Sequence, residues 1–249
     1  MPRYRITLEY DGGGFVGWQR QVTGMSVQEA LEDALINFTG APVRVLGAGR
    51  TDSGVHALGQ VAHFDLPTPR PLPTIRDAIN FHVRPHPVGV LHAEEAKPEF
   101  EARFSAILRT YRYRILNRRS PAIVDAGKVW HLGNPLDEIT MQEAADRLAG
   151  HHDFTSFRAT TCQAKSPVRT LDVLKVSRHG DEVWVEAEAR SFLHNQIRII
   201  TGTLARVGHG AWTPDDVSRA LDAKERAAAG PTAPPSGLYL TSVQYPEDG

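Results

Sequence analysis

Residues 3–12 read RYRITLEYDG, and the reading of this stretch decides the fold. Tyr4, Ile6, Leu8 and Tyr10 alternate with Arg5, Thr7 and Glu9, the period of a strand with one buried face. Beyond it, Ser26-Val27-Gln28-Glu29 forms a capping box, and Val27, Ala30, Leu31, Ala34, Leu35 and Phe38 line one stripe of a helix that Gly40 ends. VRVL (43–46) and QVAHFDL (60–66) predict two more strands. PTIRDAINF (73–81) predicts a second helix and PVGVLHAEEA (87–96) a fourth strand. The order is β-α-β-β-α-β.

The second half repeats that order. ILRTYRYRIL (107–116) alternates, with Ile107, Tyr111, Tyr113 and Ile115 on the same face as Arg109. Thr140-Met141-Gln142-Glu143 is a second capping box, opening a helix that stops near Gly150. RTLDVLKVSR (169–178) and EVWVEAEAR (182–190) are strands joined by the turn HGD. FLHNQIRIITGTLARVG (192–208) reads as a helix, and a short one begins at Thr213-Pro214. AAAGPTAPPSG (227–237) reads as a flexible loop before a last strand in GLYLTSVQYP (237–246). The expected fold is α+β. It has two ferredoxin-like βαββαβ halves, 1–104 and 105–249, with antiparallel sheets side by side around a central cleft. Single-strand RNA readers share this layout.

Composition narrows the chemistry. No apolar run is long enough to span a membrane, and the start lacks the apolar core of a secretory leader. A single cysteine, Cys162, excludes an intramolecular disulfide framework and fits a reducing cytoplasm. The phosphate-loop, HExxH and CxxC motifs are all missing. His151, His152 and Asp153 are adjacent in sequence and so point apart, which argues against a metal site. Net charge is −1, but six arginines and no acid lie between Arg103 and Arg119. Arginine clamps phosphate and stacks on bases, so this run is a candidate RNA surface or an ordinary solvated strand face.

Against that background stands GAGRTDSGVHALGQVAHFD (47–65). Three small residues precede Arg50-Thr51-Asp52-Ser53, and Gly54 follows. By itself this is an Asx-type turn or a helix cap, or an acidic side chain presented to a bulky ligand. EYDGGGFVGWQRQ (9–21), GAGRTDSGVHALGQVAHF (47–64), FEARFSAILRTYRYRI (100–115), DFTSFR (153–158), FLHNQIRIITGTL (192–204) and GLYL (237–240) together resemble the bacterial tRNA pseudouridine synthase A family. They occur in the family's order and span nearly the whole chain.

The resemblance implies isomerisation of uridines 38 to 40 in the tRNA anticodon stem-loop. It also implies a homodimer and no metal or organic cofactor. It assigns the catalytic aspartate to Asp52 and the substrate-contacting tyrosine to Tyr111. The basic residue of the third motif falls on Arg198. Arg50 is implicated in holding the nucleotide out of the stem, and Leu238 is the apolar residue of the last motif. Two departures are Glu101, where relatives commonly carry histidine, and INFHVRPHPVGV (79–90). The rival readings are a non-catalytic RNA-binding module and a glycosidic hydrolase. The hydrolase normally needs a second carboxylate paired with the first.

Overall fold

The computed structural model describes residues 1–246. The chain is α+β, with mostly antiparallel strand pairing and five α-helices among the described residues. It forms two compact units, one of residues 1–109 with the chain from Tyr239 onward, the other Thr110–Leu238.

The first unit is built on β1 (Arg3–Tyr10), whose Tyr4, Ile6 and Leu8 are fully buried as the alternation requires. Next come α1 (Val27–Thr39), β2 (Leu46–Gly47), β3 (His56–Asp65), α2 (Leu72–His82) and β4 (Val88–Ala96). β1 lies between β3 and β4 and is antiparallel to both, pairing Ile6 with Ala62 and with Ala93. Leu31 and Leu35 of α1 and Ile75 and Ile79 of α2 fill the core. Ser26 caps α1 by accepting from the Glu29 N–H at 3.1 Å. Glu29 faces Arg20 at 3.2 Å, so only the serine side of the expected capping box is formed.

VRVL is not a strand along its length, because β2 holds only Leu46 and Gly47. The Val45 N–H donates to Glu32 Oε1 (3.1 Å), and Gln28 Nε2 donates to the Val45 carbonyl (2.9 Å). Two side chains of α1 thus occupy the backbone groups that a ladder would use.

The chain leaves the first unit within β5 (Leu108–Asn117). The second unit then adds β6 (Trp130–Leu132), α3 (Glu138–Asp146), β7 (Gly150–Asp153), β8 (Val168–Leu171), β9 (Val173–His179), β10 (Glu182–Ala189), α4 (Gln196–Gly208) and α5 (Pro214–Ala223). β10 lies between β5 and β9, while β7 and β8 form a separate pair. The last strand, β11 (Leu238–Gln244), returns to the first unit and runs parallel to β3.

Three boundaries differ from expectation. α3 starts from Asp137, not Thr140, because the Asp137 carboxylate accepts from the Ile139 and Thr140 N–H groups and from the Thr140 hydroxyl. RTLDVLKVSR breaks at Asp172, whose N–H donates to the Glu188 carbonyl at 2.8 Å. This break sends β8 to β7 and β9 to β10. α4 starts at Gln196, not Phe192, since Asn195 is left-handed (φ 61°). AAAGPTAPPSG also departs from its reading as a flexible loop: Ala229, Gly230 and Ala233 are buried.

Candidate functional site

Asp52 sits on a turn whose backbone is held on several sides. Its carbonyl accepts from the Val55 N–H (3.1 Å), closing a four-residue turn with Gly54 at φ 77°. A positive φ at the third position is what a type II turn demands, hence glycine there. The preceding carbonyls are also taken. The Thr51 carbonyl accepts from the Trp18 N–H (3.0 Å) and Gly49 from Gln60 Nε2 (2.9 Å). Ala48 accepts from Arg109 Nη2 (2.7 Å) and Nε (3.2 Å).

Below the turn, the Tyr10 hydroxyl and Thr51 Oγ1 are 2.8 Å apart, and Gln60 Nε2 approaches the phenol at 3.5 Å. Burial pushes the Tyr10 phenol up to about 12, so it stays neutral across the working pH range. Ser53 Oγ donates to the Phe15 carbonyl (3.1 Å). The glycine of GWQRQ fits the same scheme: a Cβ on Gly17 would stand 2.7 Å from the Thr51 carbonyl oxygen. The Asp52 side chain is half-buried and that of Arg50 exposed. A carboxylate is thereby presented on a rigid backbone, as a reacting group must be.

Tyr111, Arg198 and Leu238 belong to the second unit. Tyr111 is buried on β5 and packs edge-on against Phe192, with centroids 5.2 Å apart. Arg198, in the first turn of α4, donates from Nε to the Ala233 carbonyl (2.8 Å) and from Nη1 to Asn195 Oδ1 (2.8 Å). Leu238 is buried at the start of β11. Tyr113 lies two residues further along the same face of β5. It is fully buried, edge-on to Trp130, and donates its hydroxyl to the Pro234 carbonyl at 2.6 Å. Burial holds its phenol far above the usual tyrosine range.

The arrangement can be compared with known proteins. A profile described as tRNA pseudouridine synthase matches residues 6–105 and 144–246. The tRNA pseudouridine synthase A of Parvibaculum lavamentivorans is 56% identical over 245 residues, covering 98% of this chain and all of that protein. The proteins of the same name from Rhodopseudomonas palustris and Paramagnetospirillum magneticum are 58% and 55% identical, covering 98% and 100% of this chain and 100% and 97% of their own lengths. The chain belongs to the tRNA pseudouridine synthase family. By that membership it is an isomerase.

For a member of this family the direction of its basic charge matters, and the arginine run proves less basic than it reads. Arg112 donates to Glu186 from Nη2 (2.9 Å) and Nε (3.0 Å) and lies 4.0 Å over the Trp184 ring. Arg114 pairs with Glu182 at 2.6 Å. Arg118 meets Asp181 at 3.2 Å. These carboxylates come from β10 and the turn before it, beyond the acid-free window seen in sequence. Arg109 is buried. Arg103 and Arg119 stay exposed.

Arg109 and Gln60 are the site residues that the sequence reading passed over. The signal for Arg109 was present, a charged residue on the inward face of an alternating strand. His151 and His152 bind protein partners, Thr170 Oγ1 and the Ala149 carbonyl. Among the described residues no cluster of metal-ligating side chains occurs, and no helix is long and apolar enough to cross a membrane.

Proposed function

We propose that this protein isomerises uridines 38 to 40 of the tRNA anticodon stem-loop to pseudouridine, with Asp52 as the essential carboxylate. The observation that carries the reading concerns GRTDSGVHALGQ (49–60). Its one acidic residue is also the one presented on the tethered turn. The reaction breaks the C1′–N1 bond, turns the uracil and joins C1′ to C5, with the C5 proton lost to water and N1 protonated. Asp52 acts as the anion, since only the ionised carboxylate is a competent nucleophile or base. Tyr111 contacts the detached base, Arg198 favours the charged carboxylate, and Leu238 shields the intermediate from water.

A stem uridine reaches the carboxylate only by leaving its stack, at a cost of a few kcal/mol, which Arg50 offsets by filling the gap. On this reading the halves 1–104 and 105–249 are ferredoxin-like, with the uridine taken into a central cleft. The first half carries the aspartate loop, and the second the tyrosine strand and the arginine helix. The order of the first six elements and the placing of β1 between β3 and β4 support this. The protein works in the cytoplasm as a homodimer, without metal or organic cofactor.

Tritium release tests the reading. A tRNA transcript carrying 5-³H-uridine only at positions 38 to 40 should release its label to water. A transcript labelled everywhere else should release none. Release from the second transcript alone would remove the positional assignment. Release from neither, with tRNA bound, would leave a non-catalytic RNA-binding module.

The ion pairs on β5 add a prediction. Arg112→Ala combined with Arg114→Ala should change the slope of log affinity for tRNA against log salt by less than about one unit. A fall of about two units would mean that both guanidinium groups contact phosphate.

A further inference from the structure

Residues 227–237, AAAGPTAPPSG, have the composition of a spacer, yet they are tied to the helix that carries Arg198. The Gly230 N–H donates to Thr203 Oγ1 (3.0 Å), whose own proton goes to the Ile199 carbonyl (2.7 Å). The Ala233 N–H donates to the Arg198 carbonyl (3.0 Å), and Arg198 Nε donates back to the Ala233 carbonyl (2.8 Å). Arg226 holds the Gly230 carbonyl and Thr232 Oγ1, each at 3.0 Å, and Tyr113 holds the Pro234 carbonyl.

The seat is shaped for backbone alone. A Cβ on Gly202 would fall onto the Pro231 carbonyl oxygen, and one on Gly230 would stand 2.7 Å from Thr203 Cα. The Arg198 guanidinium is a rigid planar fork. Anchoring Nε on the strap and Nη1 on Asn195 Oδ1 fixes its plane.

We infer that the strap Ala229–Pro234, seated on the Gly202–Thr203 face of α4, is the positioning element of Arg198. Gly202 and Thr203, both buried, are then positioning residues for the isomerisation. This rests on the reading of Arg198 as the cation that serves the reacting carboxylate. The physical reason is economy of motion. An arginine side chain has many rotamers, and a fixed cation aims its charge with no reorganisation during the reaction. The low-complexity segment supplies the fixing carbonyl, and its glycines and prolines suit a chain that must lie close against a helix.

The test uses the full-length protein and single-turnover tritium release from labelled tRNA. Thr203→Val keeps the volume and removes the acceptor for Gly230. The rate should fall about 10-fold, as displacement of an aligned group by a fraction of an ångström does, with tRNA affinity unchanged. Thr203→Ser, which keeps the hydroxyl, should restore it. Gly202→Ala should give a larger loss in the same direction. Each change is then repeated in Arg198→Lys, which has no Nε–H to offer Ala233.

If the strap acts through Arg198, Thr203→Val costs nothing further in that background. An equal loss in both backgrounds makes the strap a general support of the fold and overturns the proposal. Full activity of Arg198→Lys and of Arg198→Ala would overturn the role of Arg198 itself, and the strap's role with it. That result is distinct from a strap variant that fails while Arg198 proves essential.

Discussion

Asp52→Asn should remove nearly all tritium release while tRNA binding and the unfolding midpoint stay at their wild-type values. Asparagine matches aspartate in shape, and the bonds that close the turn use main-chain atoms. The Asp52 carbonyl is bonded to the Val55 N–H, Gly54 supplies the positive φ, and the Thr51 carbonyl is held by Trp18. What the substitution removes is the anion. Neither nucleophilic addition nor proton abstraction is open to a neutral amide, so the rate should drop by at least about 10³-fold, the scale of losing a positioned base or nucleophile. Retention within about tenfold of the wild-type rate would reduce Asp52 to a turn residue and transfer the chemistry elsewhere. Binding is measured alongside by filter retention, because a rate lost together with affinity would describe a damaged RNA surface and not a missing reactant.

The parts of the fold that were legible in sequence are those in which one local rule acts alone. β1 alternates because one face is buried, and α1 runs between its caps Ser26 and Gly40 because cap and stop lie in the chain itself. The illegible parts depend on partners far away in sequence. Val45 reads as strand, but Gln28 and Glu32 claim its backbone. Residues 192–195 fit the helical stripe, yet Asn195 turns left-handed and Gln196 Oε1 accepts from the Leu193 N–H at 2.8 Å. The arginines of β5 read as a bare basic stripe because their carboxylates lie about seventy residues downstream. The same holds for the site. Asp52 stands out within a long motif, whereas the groups that hold its turn come from four separate segments.

Arg109 is the furthest of those groups in sequence, and its removal should have the largest effect on stability. Arg109 is 8% exposed. It reaches the Ala48 carbonyl through two nitrogens and the Arg103 carbonyl through Nη2 at 2.6 Å. Arg109→Met keeps much of the packing of the stem but leaves both carbonyls without these donors. A buried acceptor stripped of its partner costs about 1–3 kcal/mol and the part-buried Arg103 carbonyl less, so the two together predict a loss of about 2–5 kcal/mol.

Arg109→Lys recovers only part of this. One ammonium on a flexible stem cannot reproduce a planar fork that serves two carbonyls at fixed angles. Urea denaturation reads the stability. Hydrogen exchange at Ala48 and Val55 reads the site, because their N–H groups donate to Val61 and to Asp52. Protection at both should fall in Arg109→Met by more than the global loss explains, and tritium release should fall with it. A wild-type midpoint would show that water or another donor replaces the guanidinium. A lowered midpoint with unchanged protection at Val55 would make Arg109 a core residue with no hold on the turn. Only the combined loss ties this buried charge to the placing of the carboxylate four residues beyond Ala48.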